Sequence, residues 1–435
     1  MNSCKVFFLT LGCKVNQYET EAMQKLFEAV GYEVASDISE AQVVVVNTCT
    51  VTAVSSQKSR QMIRRAANKN CVLAVVGCYA QSEPEEILKI NGVDVIIGTK
   101  DRTRVVELVE TALKNRGEKI FQVGSVEEIK DFEELPHSPQ RTRAFLKIED
   151  GCNNFCSYCI IPYVRGRVRS RSIKSIRAES LALKAAGFKE IVLTGIHIGA
   201  YGRDFREKIS LVDAIKTVLD AANPLRLRLG SIESAEMTDE LIDLIKNDSR
   251  ICNHVHLPLQ AGSDEILKAM HRPYTTKNFS ELTARLVEEI PEISIGTDLI
   301  VGFPGETEEN FSETLKFIQA QPFSKIHVFP YSARAGTLAA TLPNQIPSQI
   351  KKARASSALE ISRAKVKIFS ERLIGKEVEI IAETSTGGLV DGLTKNYVRV
   401  YTADKNIPLG ELVKVKIERL HADGVFGEKN FFGGV

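Results

Sequence analysis

The sequence predicts an α/β chain in three parts: a parallel-sheet amino-terminal domain, a partial TIM-type (β/α)6 barrel and a small carboxyl-terminal β-barrel. Three observations carry this. Apolar runs alternate with amphipathic helical stretches in two blocks, divided by an acidic segment that ends in prolines. The residues from 373 onward break instead into short strands separated by Gly, Asn and Pro. At 435 residues, 43% of them hydrophobic, the chain is long enough for roughly two to three domains with ordinary cores.

In the first block, residues 1–125, KVFFLTL precedes a helix over Gln17 to Val30, QVVVVN precedes Val54 to Ala67, and VLAVVG precedes Glu83 to Ile90. Such alternation sets the strands parallel and the helices over their faces. Cys13, Cys49 and Cys78 each fall just past the carboxyl end of one of these strands, in LGCKVN, NTC and GCY. Loops converge at that edge of a parallel sheet, and ligands bind there. Spacings of 36 and 29 residues are one strand-helix unit apiece, so the three sulfurs can meet. A single cysteine there would read as core filling, as Cys4, Cys71 and Cys252 do.

Residues 126–141, with the acidic VEEIKDFEELPHSP, read as a linker. From 142 to 346 come six strands with intervening helices: AFLKIE, EIVLTG, LRLRLG, HVHLPL, SIGTDLIVG and KIHVFP. Six units make an incomplete barrel with its site at the carboxyl edge of the strands. A helical connector over 347–372 follows, with Ser348 the expected cap after Pro347. Over 373–435, VEIIAE, GLVDGL, YVRVYT, ELVKVKIERL and GVFGE read as a five-stranded, OB-like barrel.

A formal net charge of +2 excludes a whole-chain basic field, so nucleic-acid contacts must come from local patches. No apolar run approaches the roughly 18 residues of a membrane span, and no signal-peptide pattern is present. A cytoplasmic, reducing location without membrane contact is expected, which suits free thiolates. There is no GxxxxGK[ST] phosphate loop.

Cys152, Cys156 and Cys159 in GCNNFCSYC are the most informative feature. Nine cysteines scattered at random would give this CxxxCxxC spacing only about 0.004 times. Three thiolates this close can hold three irons of a four-iron cluster and leave the fourth iron open. Structural zinc would want a fourth ligand from a second CxxC or an HxxxH, which the segment lacks. A disulfide framework suits short secreted domains, not a long chain with an odd cysteine count.

The full segment GCNNFCSYCIIPYVRGRVRSR, Gly151 to Arg171, resembles the cluster loop of radical S-adenosylmethionine enzymes, and among them the methylthiotransferases. The resemblance covers essentially the whole chain, and the terminal barrel resembles the TRAM domain. TLGCKVNQYETE, Thr10 to Glu21, is similar to the group acting on N6-threonylcarbamoyladenosine in tRNA. The isopentenyladenosine group tends to have GCQMN there, and the group acting on a ribosomal-protein aspartate GCPKN. The resemblance implies two 4Fe-4S clusters, one on Cys152, Cys156 and Cys159 and one on Cys13, Cys49 and Cys78. It implies that one S-adenosyl-L-methionine methylates a sulfur on the second cluster. Another is split to a 5'-deoxyadenosyl radical, and a C–H at adenine C2 becomes C–SCH3. The partners implied are a tRNA anticodon loop, a low-potential electron donor and a sulfur source, with the chain itself monomeric.

Other residues complete the expected site. The resemblance implies that Gly195 in LTGIHIGAYG ends the strand whose backbone meets the cofactor amino group, unless it serves only a loop that needs positive φ. Ser231 and Glu233 in SIESAE suit ribose hydroxyls, since a carboxylate accepts two donors. Gln260 and Ser263 in LPLQAGSD complete the cofactor set. Asp298, read as buried in an apolar strand, is the expected catalytic carboxylate, because an isolated buried charge is costly without a use. Arg165 and Arg171, alternating with Arg167 and Arg169, suit RNA phosphates or a solvated edge. Lys395 and Arg399, with Lys414, Lys416 and Arg419, suit an RNA footprint or plain solvated faces. His254 and His256 share one strand face and read as ordinary barrel or surface histidines. A noncatalytic iron-sulfur redox or RNA-binding protein would share the cysteines but would need neither the open iron nor a nucleoside pocket.

Overall fold

β-branched runs form the strands of the amino-terminal sheet because helices cover both of its faces. The computed structural model describes residues 4–67, 70–404 and 406–429. In it Lys5–Thr10 (β1), Glu33–Val34 (β2), Val43–Thr48 (β3), Val72–Gly77 (β4), Val95–Ile97 (β5) and Ile120–Gln122 (β6) make one sheet, ordered β2-β1-β3-β4-β5-β6. Every neighbouring pair is parallel. Alternate residues serve two cores. Val44, Val46, Leu73 and Val75 pack with Ile63 on one face, and Val43, Val45, Val72 and Val76 pack with Phe27 and Leu108 on the other. Helix α1, Lys14–Ala29, follows β1. The helix expected over Glu83 to Ile90 is the shorter Pro84–Leu88, opened by Pro84, and a separate short helix, Cys78–Ser82, precedes it. Cys71 and Cys252 are buried as expected, whereas Cys4 is only partly so.

In the central domain Ala144–Lys147 (β7) leads into Glu149–Asp150 (β8), which pairs with Arg169–Ser170 (β9). Glu190–Thr194 (β10), Arg226–Arg228 (β11), His254–His256 (β12), Ser294–Val301 (β13) and Lys325–Pro330 (β14) complete the six expected strands. They form parallel groups β11-β10-β7 and β12-β13-β14. Bridges Leu227–Ile251 and Ser231–His256 join the two groups into one curved sheet. Side chains alternate across it. Leu146, Ile191, Leu193, Val255, Leu299 and Ile326 share an apolar core with Ile176, Ile215 and Leu241 of the covering helices. His254, His256, Asp298 and His327 alternate with these and line a cavity instead. Tyr18 of α1 packs on Phe145 and Val192, so a helix of the first domain covers part of the barrel's inner face.

Helix Ser348–Glu371 lies along β14, where the Ser362 hydroxyl donates to the Ile326 carbonyl at 2.8 Å. Pro347, not Ser348, holds the cap position, and no side chain caps this end. The extended ψ of Pro347 turns the chain in, so Ser348 is already helical. Glu377–Thr386 (β15), Leu389–Leu393 (β16), Arg399–Thr402 (β17), Leu412–His421 (β18) and Gly424–Lys429 (β19) close into the expected barrel, in order β15-β16-β17-β19-β18. Arg226 and Arg228 of β11 dock it by donating to the carbonyls of Leu393 and Lys395, each at 2.9 Å. Among the described residues no helix is long and apolar enough to cross a membrane.

Candidate functional site

The CxxxCxxC loop starts where β8 ends, and Gly151 turns the chain into it at φ +88°. A Cβ there would lie 2.0 Å from the Arg167 carbonyl oxygen, so only glycine fits. Ser157 pins the loop to the helix Asp264–Ala269 and its end: its hydroxyl donates to Ala269 O at 2.8 Å and its N–H to Met270 O at 3.1 Å. Burial pushes the Cys152 and Cys159 thiols up to about 12. Arg272 Nη1 lies 3.2 Å from Cys156 Sγ, and the same guanidinium pairs with Glu233. His197 Nδ1 stands 3.5 Å from Cys152 Sγ, with its other ring nitrogen 2.9 Å from the Glu236 carboxylate. Its backbone N–H donates to Glu149 at 2.6 Å.

The second cysteine set stands where the parallel-sheet rule puts it. Cys13 occupies the cap position of α1, Cys49 follows β3, and Cys78 opens the helix after β4. Burial pushes the Cys78 thiol up to about 12; Arg165 opposes this, while Cys49 and Cys13 are near enough to add to it. Cys78 also packs on Ile160 and Val164, directly beyond Cys159. The two sets are therefore neighbours. Among the described residues no three His, Cys, Asp or Glu side chains are placed to hold a single metal ion. Cluster ligands bind separate irons and so stand apart. Buried thiols that resist ionisation are favourable as ligands only beside added positive charge, and the donor chemistry of both sets fits an iron-sulfur cluster.

Arg165 is the hub between the domains. It donates to Glu19 at 2.9 Å, Asp150 at 3.0 Å and Asn16 at 2.9 Å, and its Nε faces Cys78 Sγ at 3.2 Å. Lys147 bridges the same two carboxylates at 2.9 and 2.7 Å, and Arg102 reaches Glu19 at 2.8 Å. Burial disfavours charge on Glu19, but Arg102, Arg165 and Lys147 outweigh it and hold its carboxyl down at about 2. Arg171 is likewise buried against Glu179 and Glu134. The reading of Arg165 and Arg171 as phosphate clamps is thus corrected: Glu19 of the first domain and Asp150 turn Arg165 inward, and Glu179 of the following helix turns Arg171 inward.

Two cavities meet at Asp298, the smaller of them beside Cys159. One of about 530 Å³ is the barrel lumen, lined by Lys14, Ser231, His254, His256, Asp298 and His327 and walled by Tyr397 and Arg399 of the terminal barrel. The other, about 220 Å³, is lined by Cys159, Gln260, Tyr158 and Asp298, with Val51 and Thr52 from just beyond Cys49. Asp298 borders both. It is not the isolated buried carboxylate expected, since its side chain is 27% exposed and pairs with His256 at 3.1 Å. Gln260 takes φ +69° beside it. Gly195 provides a close approach, for a Cβ there would meet Glu149 at 2.8 Å. Ser263 is corrected too: its hydroxyl donates to Glu313 at 2.7 Å in a different cavity, away from the cofactor set. Lys395 is drawn to the Ser249 carbonyl at 2.9 Å and Arg399 to Asp391, so neither is a free RNA contact. Sequence reasoning missed Arg272, His197 and Glu149. MHRPY and IHIG carried no spacing that set them apart.

The chain is 42% identical over 423 residues to the threonylcarbamoyladenosine tRNA methylthiotransferase MtaB of Bacillus subtilis, covering 95% of this chain and 93% of that one. The chain belongs to the radical S-adenosylmethionine tRNA methylthiotransferases. Residues 146–318 of this methylthiotransferase match the Radical SAM superfamily, and residues 5–98 match the uncharacterized protein family UPF0004. The methylthiotransferase is also 37% identical to the tRNA-2-methylthio-N(6)-dimethylallyladenosine synthase of Moorella thermoacetica, over 94% of this chain and 95% of the other. Its fold resembles the radical S-adenosylmethionine methyltransferase TsrM of Kitasatospora setae, with a TM-score of 0.59 at 17% identity over 78% of this chain and 77% of that one. Radical chemistry of this family implies a 4Fe-4S cluster and S-adenosylmethionine, and Cys152, Cys156 and Cys159 are the residues that fit the cluster.

Proposed function

We propose that the enzyme methylthiolates C2 of N6-threonylcarbamoyladenosine beside the tRNA anticodon, using two 4Fe-4S clusters held by the two cysteine sets. The observation that carries the two-cluster reading is the smaller cavity, walled by Cys159 on one side and by the residues just beyond Cys49 on the other. When bound, the clusters and S-adenosylmethionine supply the electron, the carbon radical, the sulfur and the methyl group. The chain's own residues orient and shield. Gln260 and Ser231 offer polar groups to the cofactor, and Asp298, at the meeting of the two cavities, is the proton acceptor nearest both. Glu233 is held by Arg272, which also faces Cys156 and so ties the cofactor wall to the cluster loop. A lumen of about 530 Å³ is within the usual range for a nucleoside-sized ligand. An anticodon-loop base can be splayed out of its stack to enter it. Lys416 on β18 is exposed and suits a phosphate outside the lumen.

Mass spectrometry of nucleosides from total tRNA tests the reading, in cells with the intact enzyme and with Cys152, Cys156 and Cys159 replaced by Ala. A methylthio form of threonylcarbamoyladenosine should appear only with the intact enzyme. A methylthio form of isopentenyladenosine instead would move the substrate to that of the Moorella relative. Unchanged tRNA with continued cofactor cleavage would favour a ribosomal-protein aspartate.

A further inference from the structure

Lys14 opens α1 and lines the barrel lumen. Tyr397 and Glu190 are near enough to favour a cation there, but burial and other features oppose one. The positive end of a helix dipole repels it, and no acidic residue stands in the first turn. Arg143 and Arg228 stand near enough to repel it as well. Those two are already matched, Arg143 with Glu190 and Glu383, and Arg228 with Glu190. Arg399 in the same lining faces Asp391. Among the described residues two lysines of this lining have no carboxylate within 4.0 Å, Lys325, which is exposed to water, and Lys14, which is partly buried. A partly desolvated ammonium without an anion is a standing cost unless a ligand supplies the anion.

We propose that Lys14 binds the carboxylate of the threonylcarbamoyl group and thereby selects this substrate over adenosines with an uncharged N6 substituent. The inference rests on the substrate reading above. An RNA phosphate could satisfy the same ammonium, so the test separates the two anions. Binding of the anaerobically reconstituted holoenzyme is measured to three anticodon stem-loops: one with threonylcarbamoyladenosine, one with its carboxylate converted to the primary amide, and one with unmodified adenosine. The wild-type enzyme should prefer the carboxylate to the amide by roughly tenfold or more, the size of one charge-assisted contact. Lys14→Gln should abolish that preference and Lys14→Arg should keep most of it, all three proteins being compared at equal iron content because Cys13 is adjacent. If Lys14→Gln weakens all three RNAs alike, Lys14 is a phosphate contact and the proposal falls. It falls equally if the preference survives in Lys14→Gln. Failure of the substrate reading looks different: the wild-type enzyme would show no preference for the carboxylate and form no methylthio product from the first stem-loop.

Discussion

Arg165 Nε lies 3.2 Å from Cys78 Sγ, although one follows the barrel's cysteine loop and the other ends a strand of the amino-terminal sheet. Arg272 stands in the same relation to Cys156, also at 3.2 Å. Each cysteine set therefore has one sulfur facing a buried guanidinium. In the first case the guanidinium reaches across a domain boundary, so the docking of the domains and the state of the Cys78 sulfur are linked.

Arg165→Ala would leave Glu19 and Asp150 under-compensated in a buried place. It should lower the unfolding free energy by about 3–5 kcal/mol, read from chemical denaturation. Arg165→Lys keeps the charge but cannot span Asn16, Glu19, Asp150 and Cys78 together, and should fall between.

The Cys13, Cys49 and Cys78 triple alanine variant should hold about half of the roughly eight irons expected of two clusters. It should still cleave S-adenosylmethionine to 5'-deoxyadenosine while making no methylthio product. Loss of all iron would show the amino-terminal cysteines to be misassigned.

Asp298→Asn should fold and load iron like the wild type, since Asp298 is partly exposed and its pair with His256 contributes little to stability. Product formation should fall by roughly 100-fold or more, with cofactor cleavage continuing. Wild-type turnover in this variant would remove Asp298 from the chemistry.

Stability should depend on pH through His137, whose ring nitrogens lie 2.9 Å from Glu179 and 3.0 Å from Glu21. Burial disfavours its charge, but hydrogen bonds to Glu179 and Glu21 and their charges outweigh this and raise its pKa from 6.5. The folded state then holds the proton more tightly than the unfolded chain. This contribution is full below about pH 6.5 and fades as pH rises through the raised folded value. His137→Gln should flatten that slope in denaturation midpoints taken across the window.

What was legible in the sequence was local. The strands announced themselves by short apolar runs set between helical stretches, and both cysteine sets by spacing or by position at strand ends. Arg165 and Arg171 were misread because their partners Glu19 and Glu179 are supplied by other helices, and one of those by another domain. Asp298 was judged alone, whereas its partner His256 comes from the neighbouring strand. Lys14 stood in plain view beside Cys13, but its entry into the lumen depends on how α1 crosses the barrel. Pairing partners that meet only through tertiary packing leave no trace in a local pattern.

The barrel's two faces carry separate duties, with apolar residues holding the helices outside and polar ones lining the lumen. A filled interior would couple every change of pocket to the survival of the fold. Lys14 and His327 line the chamber without belonging to the apolar core, so exchanging them alters what the chamber accepts at small risk to folding. One scaffold can in this way diverge toward a charged or a greasy adenosine substituent by a handful of substitutions, without rebuilding the machinery that makes the radical.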